Sequence, residues 1–289
     1  MWKKVIVDTL KAKVPFKNNL RQLQRRFFPY QSVVANDEFA FQQGLEILDA
    51  AIRRDVPLDT ILEFGTGWVP TIPMIFKAAG AKKIILTDIE PLMDGATMQE
   101  AKRFVTGKRD QIAAAINCAP ESVEANLNAP DTLFTYLCPF DPAHFAPHSV
   151  DFLYSRTVLE HIPEANLSNI LGQLKTIMKP DGKAIHIIDN SDHFEHTDKS
   201  LSRLNFLKYS DAAWRLICAN GQNIQNRLRH SDYLKLFPSV GYDIHEQYAE
   251  VHEPTFQAID KIKLHERFHR YSPEDLATIT STLVLGVSR

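Results

Sequence analysis

The chain has 289 residues, 33 of them basic and 35 acidic, for a formal net charge of −2, and 44% of its residues are hydrophobic. That apolar fraction can fill the core of one large domain or two small ones, and it excludes disorder as the main state. The near-neutral total argues against a dedicated nucleic-acid binder, whose affinity comes from neutralising phosphates. The charge is unevenly spread: residues 1–35 hold eight basic residues and one acidic one, leaving the remainder at net −9.

At the start of the chain, Trp2, Val5, Ile6, Leu10 and Val14 fall at helical spacing among lysines. After Pro15 the pattern resumes with Phe16, Leu20, Leu23 and Phe27, flanked by Arg21, Arg25 and Arg26. Both segments predict basic amphipathic helices, either packed on the main domain or forming a lid over an anionic substrate. Contact with a membrane surface is the weaker alternative. No apolar run is long enough for a secretory leader or a bilayer span. Cys118, Cys138 and Cys218 are odd in number and form no C-x-x-C pair, so a reducing, cytoplasmic setting is expected, without disulfides or a zinc site.

Residues 37–54 predict a further amphipathic helix. Then come a buried strand over Thr60–Phe64, a tight turn at Gly65-Thr66-Gly67, and a helix to about Ala79 with Pro70 and Pro73 in its first turn. A second strand, Lys83–Thr87, ends at Asp88. Residues 95–128 are mostly helical, and 133–138 form a third strand. Val150–Tyr154 is a fourth strand, Glu164–Met178 a helix stopped by Pro180-Asp181-Gly182, and Ala184–Ile188 a fifth strand. A helix over Asp232–Phe237 and strands over Asp243–Val251 and Thr282–Val287 complete the chain. Strands alternating with helices imply a doubly wound α/β fold with a mostly parallel, seven-stranded sheet covered on both faces.

In such a sheet, ligands bind beyond the carboxyl ends of the strands, at the switch in strand order. The turn Glu63-Phe-Gly65-Thr66-Gly67 lies at such an end, and its glycines allow close backbone approach. Asp88, at the end of the next strand, can accept hydrogen bonds from both hydroxyls of a ribose. A dinucleotide fingerprint wants a third small residue three positions after the second glycine. Here that position is Pro70, preceded by Trp68 and Val69, which disfavours a pyrophosphate.

Glu63-Phe-Gly65-Thr66-Gly67 resembles the first motif of class I S-adenosylmethionine-dependent methyltransferases, and Asp88-Ile89 resembles their second. Ser149–Ile162 is similar to the fourth-strand segment of the small-molecule branch, and Leu174–Lys183 to the turn into its fifth strand. These segments span about residues 58–189 in the expected order. The resemblance implies a Rossmann-like methyltransferase fold with S-adenosylmethionine as cofactor and a small molecule as methyl acceptor. It implies that Gly65, Thr66 and Gly67 line the methionine and ribose part of the cofactor, with Glu63 orienting the turn. It further implies that Asp88 holds the ribose hydroxyls, Ile89 contacts the adenine and Asp141 meets the adenine amino group. Ser155 and Arg156 would lie under the cofactor. Residues 1–57 then form an N-terminal helical extension or lid, 58–289 the cofactor-binding domain, and 190–230 a substrate-capping insertion.

Methyl transfer needs the acceptor aligned within about 3–3.5 Å of the activated carbon, and a base where the acceptor is a hydroxyl or carbon acid. His161, His193 and Asp189, at the ends of strands four and five, are the candidate catalytic residues. The run Asp189-Asn190-Ser-Asp192-His193-Phe-Glu195-His196 is also of a type that ligates divalent ions, but no metal site is assigned. Arg227 and Arg229 either face an anionic substrate or serve ion pairs. Trp214, Phe194, Phe206 and Tyr209 either line a lid or belong to a core. Rival functions are another use of the sulfonium that releases methylthioadenosine, a nicotinamide-dependent oxidoreductase, and a non-catalytic cofactor-binding scaffold.

Overall fold

Short apolar runs build the centre of the molecule. In the computed structural model, which describes residues 33–219 and 224–288, β1 (Thr60–Phe64) and β2 (Lys83–Thr87) are each buried at four of five positions. Burial on both faces is what interior strands of a parallel sheet require. With β3 (Leu133–Leu137), β4 (Val150–Arg156), β5 (Met178–Asp189), β6 (Tyr242–Val251) and β7 (Thr278–Val287) they form one seven-stranded sheet in the order β3-β2-β1-β4-β5-β7-β6. The first five of these neighbours run parallel, and β7 lies antiparallel between β5 and β6. Strand order reverses between β1 and β4, where Glu63 sits beside both Leu86 and Tyr154. The carboxyl ends of β1, β2 and β4 therefore open onto one crevice.

Ten α-helices are described: α1 (Val33–Ile52), α2 (Thr71–Ala78), α3 (Gly95–Thr106), α4 (Arg109–Ala115), α5 (Pro120–Asn128), α6 (Glu164–Ile177), α7 (Asp211–Ile217), α8 (His230–Ser239), α9 (Glu253–Gln257) and α10 (Pro273–Ala277). The apolar stripe of α1, with Phe41, Ile47 and Leu48 fully buried, joins α2 to α5 in a core on one face of the sheet. On the other face α6 and α8 contribute Leu167, Leu171, Leu174, Tyr233 and Phe237. Each such burial contributes about 1.5–3 kcal/mol to holding helix on sheet. A third cluster joins Phe194, Leu204, Phe206 and Trp214 to Phe268 and Tyr271. Trp214 packs edge-on against Phe194 and Phe206 and stacks on Tyr209. These aromatics are thus core to the segment after β5. The two basic helices expected over residues 2–27 lie outside the described residues, and among the described residues no helix is long and apolar enough to cross a membrane.

The strands and the alternation match the sequence reading; several boundaries move. β5 begins at Met178, six residues before the expected start, because buried Met178 pairs with Val150 ahead of an irregularity in the β4–β5 register. Lys179 there forms an ion pair with Asp151 at 2.5 Å, and Asp151 in turn accepts the Thr60 backbone N–H at 3.0 Å. Pro180 and Asp181 stay exposed between the Met178 and Lys183 pairings, and Gly182 is buried. β7 starts at Thr278, where it pairs with Val251. The helix expected from Asp232 starts at His230, and Asp232 caps it from the third position by accepting the Arg229 backbone N–H at 2.9 Å.

Candidate active site

The glycine turn is held by its own strand neighbours. Gly65 and Thr66 both donate their backbone N–H to the carbonyl of Thr87, at 3.0 and 2.9 Å. Gly67 donates to the Asp88 carboxylate at 2.8 Å, whose other oxygen accepts the Ile89 N–H at 2.7 Å. The Thr87 hydroxyl donates to the Glu63 carbonyl at 3.0 Å. Three consecutive amides are thus committed to β2, and none of them remains to cradle a pyrophosphate. The start of α2 adds few donors, since Pro70 and Pro73 carry no N–H. The Asp37 carboxyl, which accepts the Thr71 hydroxyl at 3.1 Å, places an acid there instead. The geometry supports a ribose-binding turn and speaks against a dinucleotide.

Gly65 (φ +82°) and Gly67 (φ +66°) both occupy the left-handed region that disfavours side chains. Their surroundings differ. A Cβ on Gly65 would lie 2.4 Å from Val158 Cγ2, so the turn is packed directly against the segment following β4. A Cβ on Gly67 would meet nothing within 4 Å. This open face lies beside the half-exposed Asp88, which is followed by the 82% exposed Ile89. Asp141 is exposed and its carboxylate accepts the Ala143 N–H at 2.9 Å. The adjacent Phe140 donates its N–H to the Asp88 carbonyl at 3.0 Å, which brings the Asp141 loop to the same strand end.

Under the turn lies a buried polar group. Glu63 is 5% exposed, and burial pushes its carboxyl up to about 8, only partly offset by the Thr66 and Tyr154 hydroxyls and the Arg156 charge. Burial likewise lowers the pKa of Arg156, against the pull of Glu63, Glu160 and Asp189. Arg156 donates to the Gln43 side chain and lies 5.2 Å from the Phe39 ring centre, so α1 covers this end of the crevice. The Ser155 hydroxyl is bonded to buried His186 at 2.7 Å and has no freedom to face a ligand.

The three candidate catalytic residues come together beyond β4 and β5. The His161 and His193 rings are 4.9 Å apart, and His193 and His196 stack at 5.0 Å. Asp189 Oδ2 lies 3.2 Å from His193 Nε2 and 3.5 Å from His196 Nε2. Burial alone would raise the Asp189 pKa, but His193 and the Ser191 hydroxyl and N–H hold it down to about 2. Loss of water around the ring, followed by the neighbouring His193, lowers the pKa of His161.

Three parts of this site escaped the sequence reading. Glu160, between Leu159 and His161, is 1% exposed; an acid directly beside a candidate base was the available signal. Val158 beneath Gly65 carried no signal. The third is a strap, residues 224–229: Ile224 accepts a hydrogen bond from His161 Nδ1 at 2.8 Å, and Asn226 donates its side-chain amide to the Leu159 and Ile162 carbonyls at 2.7 and 3.0 Å. Arg227 and Arg229, by contrast, are structural. Arg227 donates to the Phe206 and Tyr209 carbonyls and to Asp211. Arg229, with no exposed surface, donates to the carbonyls of Asn190, Asp275, Leu276 and Thr278.

The seven-stranded, mostly parallel sheet with helices on both faces defines a Rossmann-like α/β fold whose strand order reverses beside the carboxyl end of β1. The sequence profile of a family described as "Methyltransferase domain" matches residues 20–247. The chain belongs to that family, the class I S-adenosylmethionine-dependent methyltransferases, and is a transferase. Among solved structures it is similar to the magnesium protoporphyrin IX methyltransferase of Synechocystis PCC 6803 with bound S-adenosylhomocysteine, at 15% identity and a TM-score of 0.51 over 93% of this chain and 94% of that one. It is also similar to phosphoethanolamine N-methyltransferase 2 of Haemonchus contortus in complex with S-adenosylmethionine, at 15% identity and a TM-score of 0.44 over 86% and 53% of the two chains. No curated protein matches the sequence.

Proposed function

We infer that the protein transfers a methyl group from S-adenosylmethionine to a small molecule. One observation carries this reading: the Gly65–Gly67 turn, its amides held by Thr87 and Asp88, leaves an open face beside Gly67. Gly65, Thr66 and Gly67 would hold the methionine and ribose portion, Asp88 the ribose hydroxyls, Ile89 and the Asp141 loop the adenine, and Arg156 the floor of the crevice beside Glu63. When bound, the cofactor supplies an activated methyl carbon.

The chain's own part is placement and proton handling. His161 follows β4 and His193 follows β5, and they would offer the acceptor a hydrogen-bond partner or base. Asp189 fixes the His193 ring by its 3.2 Å contact. The aromatic cluster around Trp214 packs on itself, so nothing in it favours the rival use of the sulfonium. Calorimetric titration with S-adenosylmethionine and S-adenosylhomocysteine tests the reading. Saturable binding of both is expected, and absence of binding at millimolar concentration would remove it. Product analysis on labelled extracts should then show S-adenosylhomocysteine and not methylthioadenosine.

A further inference from the structure

Glu160 has no task in methyl transfer as described above, yet it is a buried acid on the acceptor side. It is 1% exposed, and neither of its carboxylate oxygens has a hydrogen-bond partner. Buried polar atoms left in that state are rare in folded proteins and point to an ion or water that completes them. The atoms around it are of the matching kind. One ligand atom each from Glu160, His161 and His193 lie within 4.8 Å of one another. His161 Nδ1 is 2.8 Å from the Ile224 carbonyl, so this nitrogen carries the proton and Nε2 keeps its lone pair. A hydrogen bond from the far ring nitrogen to a carbonyl is the outer support that metal-binding imidazoles typically have. His193 Nε2 is also buried without a hydrogen bond of good geometry, although it approaches Asp189 to 3.2 Å.

We propose that Glu160, His161 and His193 bind a divalent transition-metal ion of the zinc class. Two imidazoles and one carboxylate suit zinc, cobalt or iron(II), whereas magnesium and calcium prefer oxygen alone. Bonds of about 2.0–2.2 Å place tetrahedral ligand atoms about 3.4 Å apart, so the three side chains must close in by about an ångström. Neutral imidazoles and one carboxylate leave a single positive charge on the site, with the Asp189 carboxylate nearby at 3.2 Å from His193 Nε2. Three protein ligands also leave a coordination position open, as in sites that receive a substrate atom.

The location gives the ion a purpose. β1, β4 and β5 are adjacent, and strands lie about 4.8 Å apart, so the ends of β4 and β5 are within about 10 Å of the glycine turn in the sheet direction. This proposal deepens the acceptor-side reading and rests on it for the role of the open position, which would take an oxygen or nitrogen of the acceptor. Metal binding itself does not depend on that reading.

The test uses tag-free full-length protein stripped with a chelator and then titrated with Co²⁺, Zn²⁺ and, for comparison, Mg²⁺. One equivalent of Co²⁺ should bind at sub-millimolar free metal with the visible absorption of a four- or five-coordinate nitrogen–oxygen site, Zn²⁺ should displace it, and Mg²⁺ should not. Glu160→Gln, His161→Ala and His193→Ala should each weaken binding at least tenfold while circular dichroism and S-adenosylmethionine titration show a folded chain. Absence of stoichiometric Co²⁺ or Zn²⁺ binding by the unmodified protein overturns the proposal, and so does binding that all three substitutions leave unchanged. A stripped protein that binds S-adenosylmethionine but no metal defeats only this inference. One that binds the metal but no S-adenosylmethionine defeats the methyltransferase reading and leaves this site standing.

Discussion

Replacing Gly65 or Gly67 with alanine separates the two duties of the turn. At Gly65 the left-handed backbone costs about 1–2 kcal/mol for any residue with a side chain. The new Cβ would also lie 2.4 and 2.9 Å from the two methyl carbons of Val158. Overpacking of that kind adds about 1–3 kcal/mol, so Gly65→Ala should lose about 2–5 kcal/mol of stability in total. At Gly67 the backbone cost is similar, but a Cβ there touches nothing within 4 Å. Gly67→Ala should therefore lose only about 1–2 kcal/mol, while its methyl group occupies the space assigned to the cofactor and lowers affinity by tenfold or more. Urea unfolding and calorimetric titration on the same samples read the two effects separately. Val158→Ala in the Gly65→Ala background should restore part of the stability, because neighbours that clash do not add. The reasoning fails if Gly65→Ala is as stable as the parent, if Val158→Ala brings no recovery, or if Gly67→Ala binds the cofactor with unchanged affinity.

Three further outcomes follow from the site. Glu63, at about 8 in the folded chain and about 4.5 unfolded, contributes stability that is full below the unfolded value and is lost as pH rises through the folded one; Glu63→Gln should flatten stability between about pH 5 and 8. Urea midpoints measured across that range decide it, and equal slopes in the two proteins would show that Glu63 ionises normally. Arg229→Met strands the buried carbonyls of Asn190, Leu276 and Thr278, each worth about 1–3 kcal/mol when unpaired, so a loss of at least about 3 kcal/mol is expected in chemical denaturation. A loss below about 1 kcal/mol would mean that water takes over those carbonyls. Asp88→Ala removes the acceptor for the Gly67 and Ile89 amides and should weaken S-adenosylmethionine binding at least tenfold by calorimetry, with a stability loss of only about 1–2 kcal/mol. An unchanged dissociation constant would mean that Asp88 does not meet the ribose.

The cofactor half of the molecule was legible because it is local. Thr60–Phe64, Gly65–Gly67 and Asp88 lie within 30 residues, and each element announces itself by apolar run, glycine or terminal acid. The acceptor half was legible only as residue types. His161, His193 and Asp189 are recognisable as chemistry, but their meeting depends on β4 and β5 being neighbours and on the strap that Ile224 and Asn226 supply from more than 60 residues away. No local pattern reports such a contact. The arginines stayed open between substrate clamp and ion pair for the same reason: the partners of Arg229 are four main-chain carbonyls on segments up to 49 residues distant. The extension of β5 back to Met178 was hidden for a similar reason: Pro180-Asp181-Gly182 has the composition of a turn, and only the pairing of buried Met178 with Val150 carries the strand past it.

The strap also divides the crevice into two regions of unequal permanence. The Gly67–Asp88 bond closes a loop of 21 residues, while the His161–Ile224 bond closes one of 63. Loop-closure entropy makes the longer closure about 1 kcal/mol more costly. Opening it frees Asn226 and the imidazole it steadies without disturbing a single amide of the glycine turn. The nucleoside end can thus persist through fluctuations that dismantle and rebuild the opposite wall. In amide hydrogen exchange this would register as slow exchange at Gly65 and Thr66 beside fast exchange at Asn226.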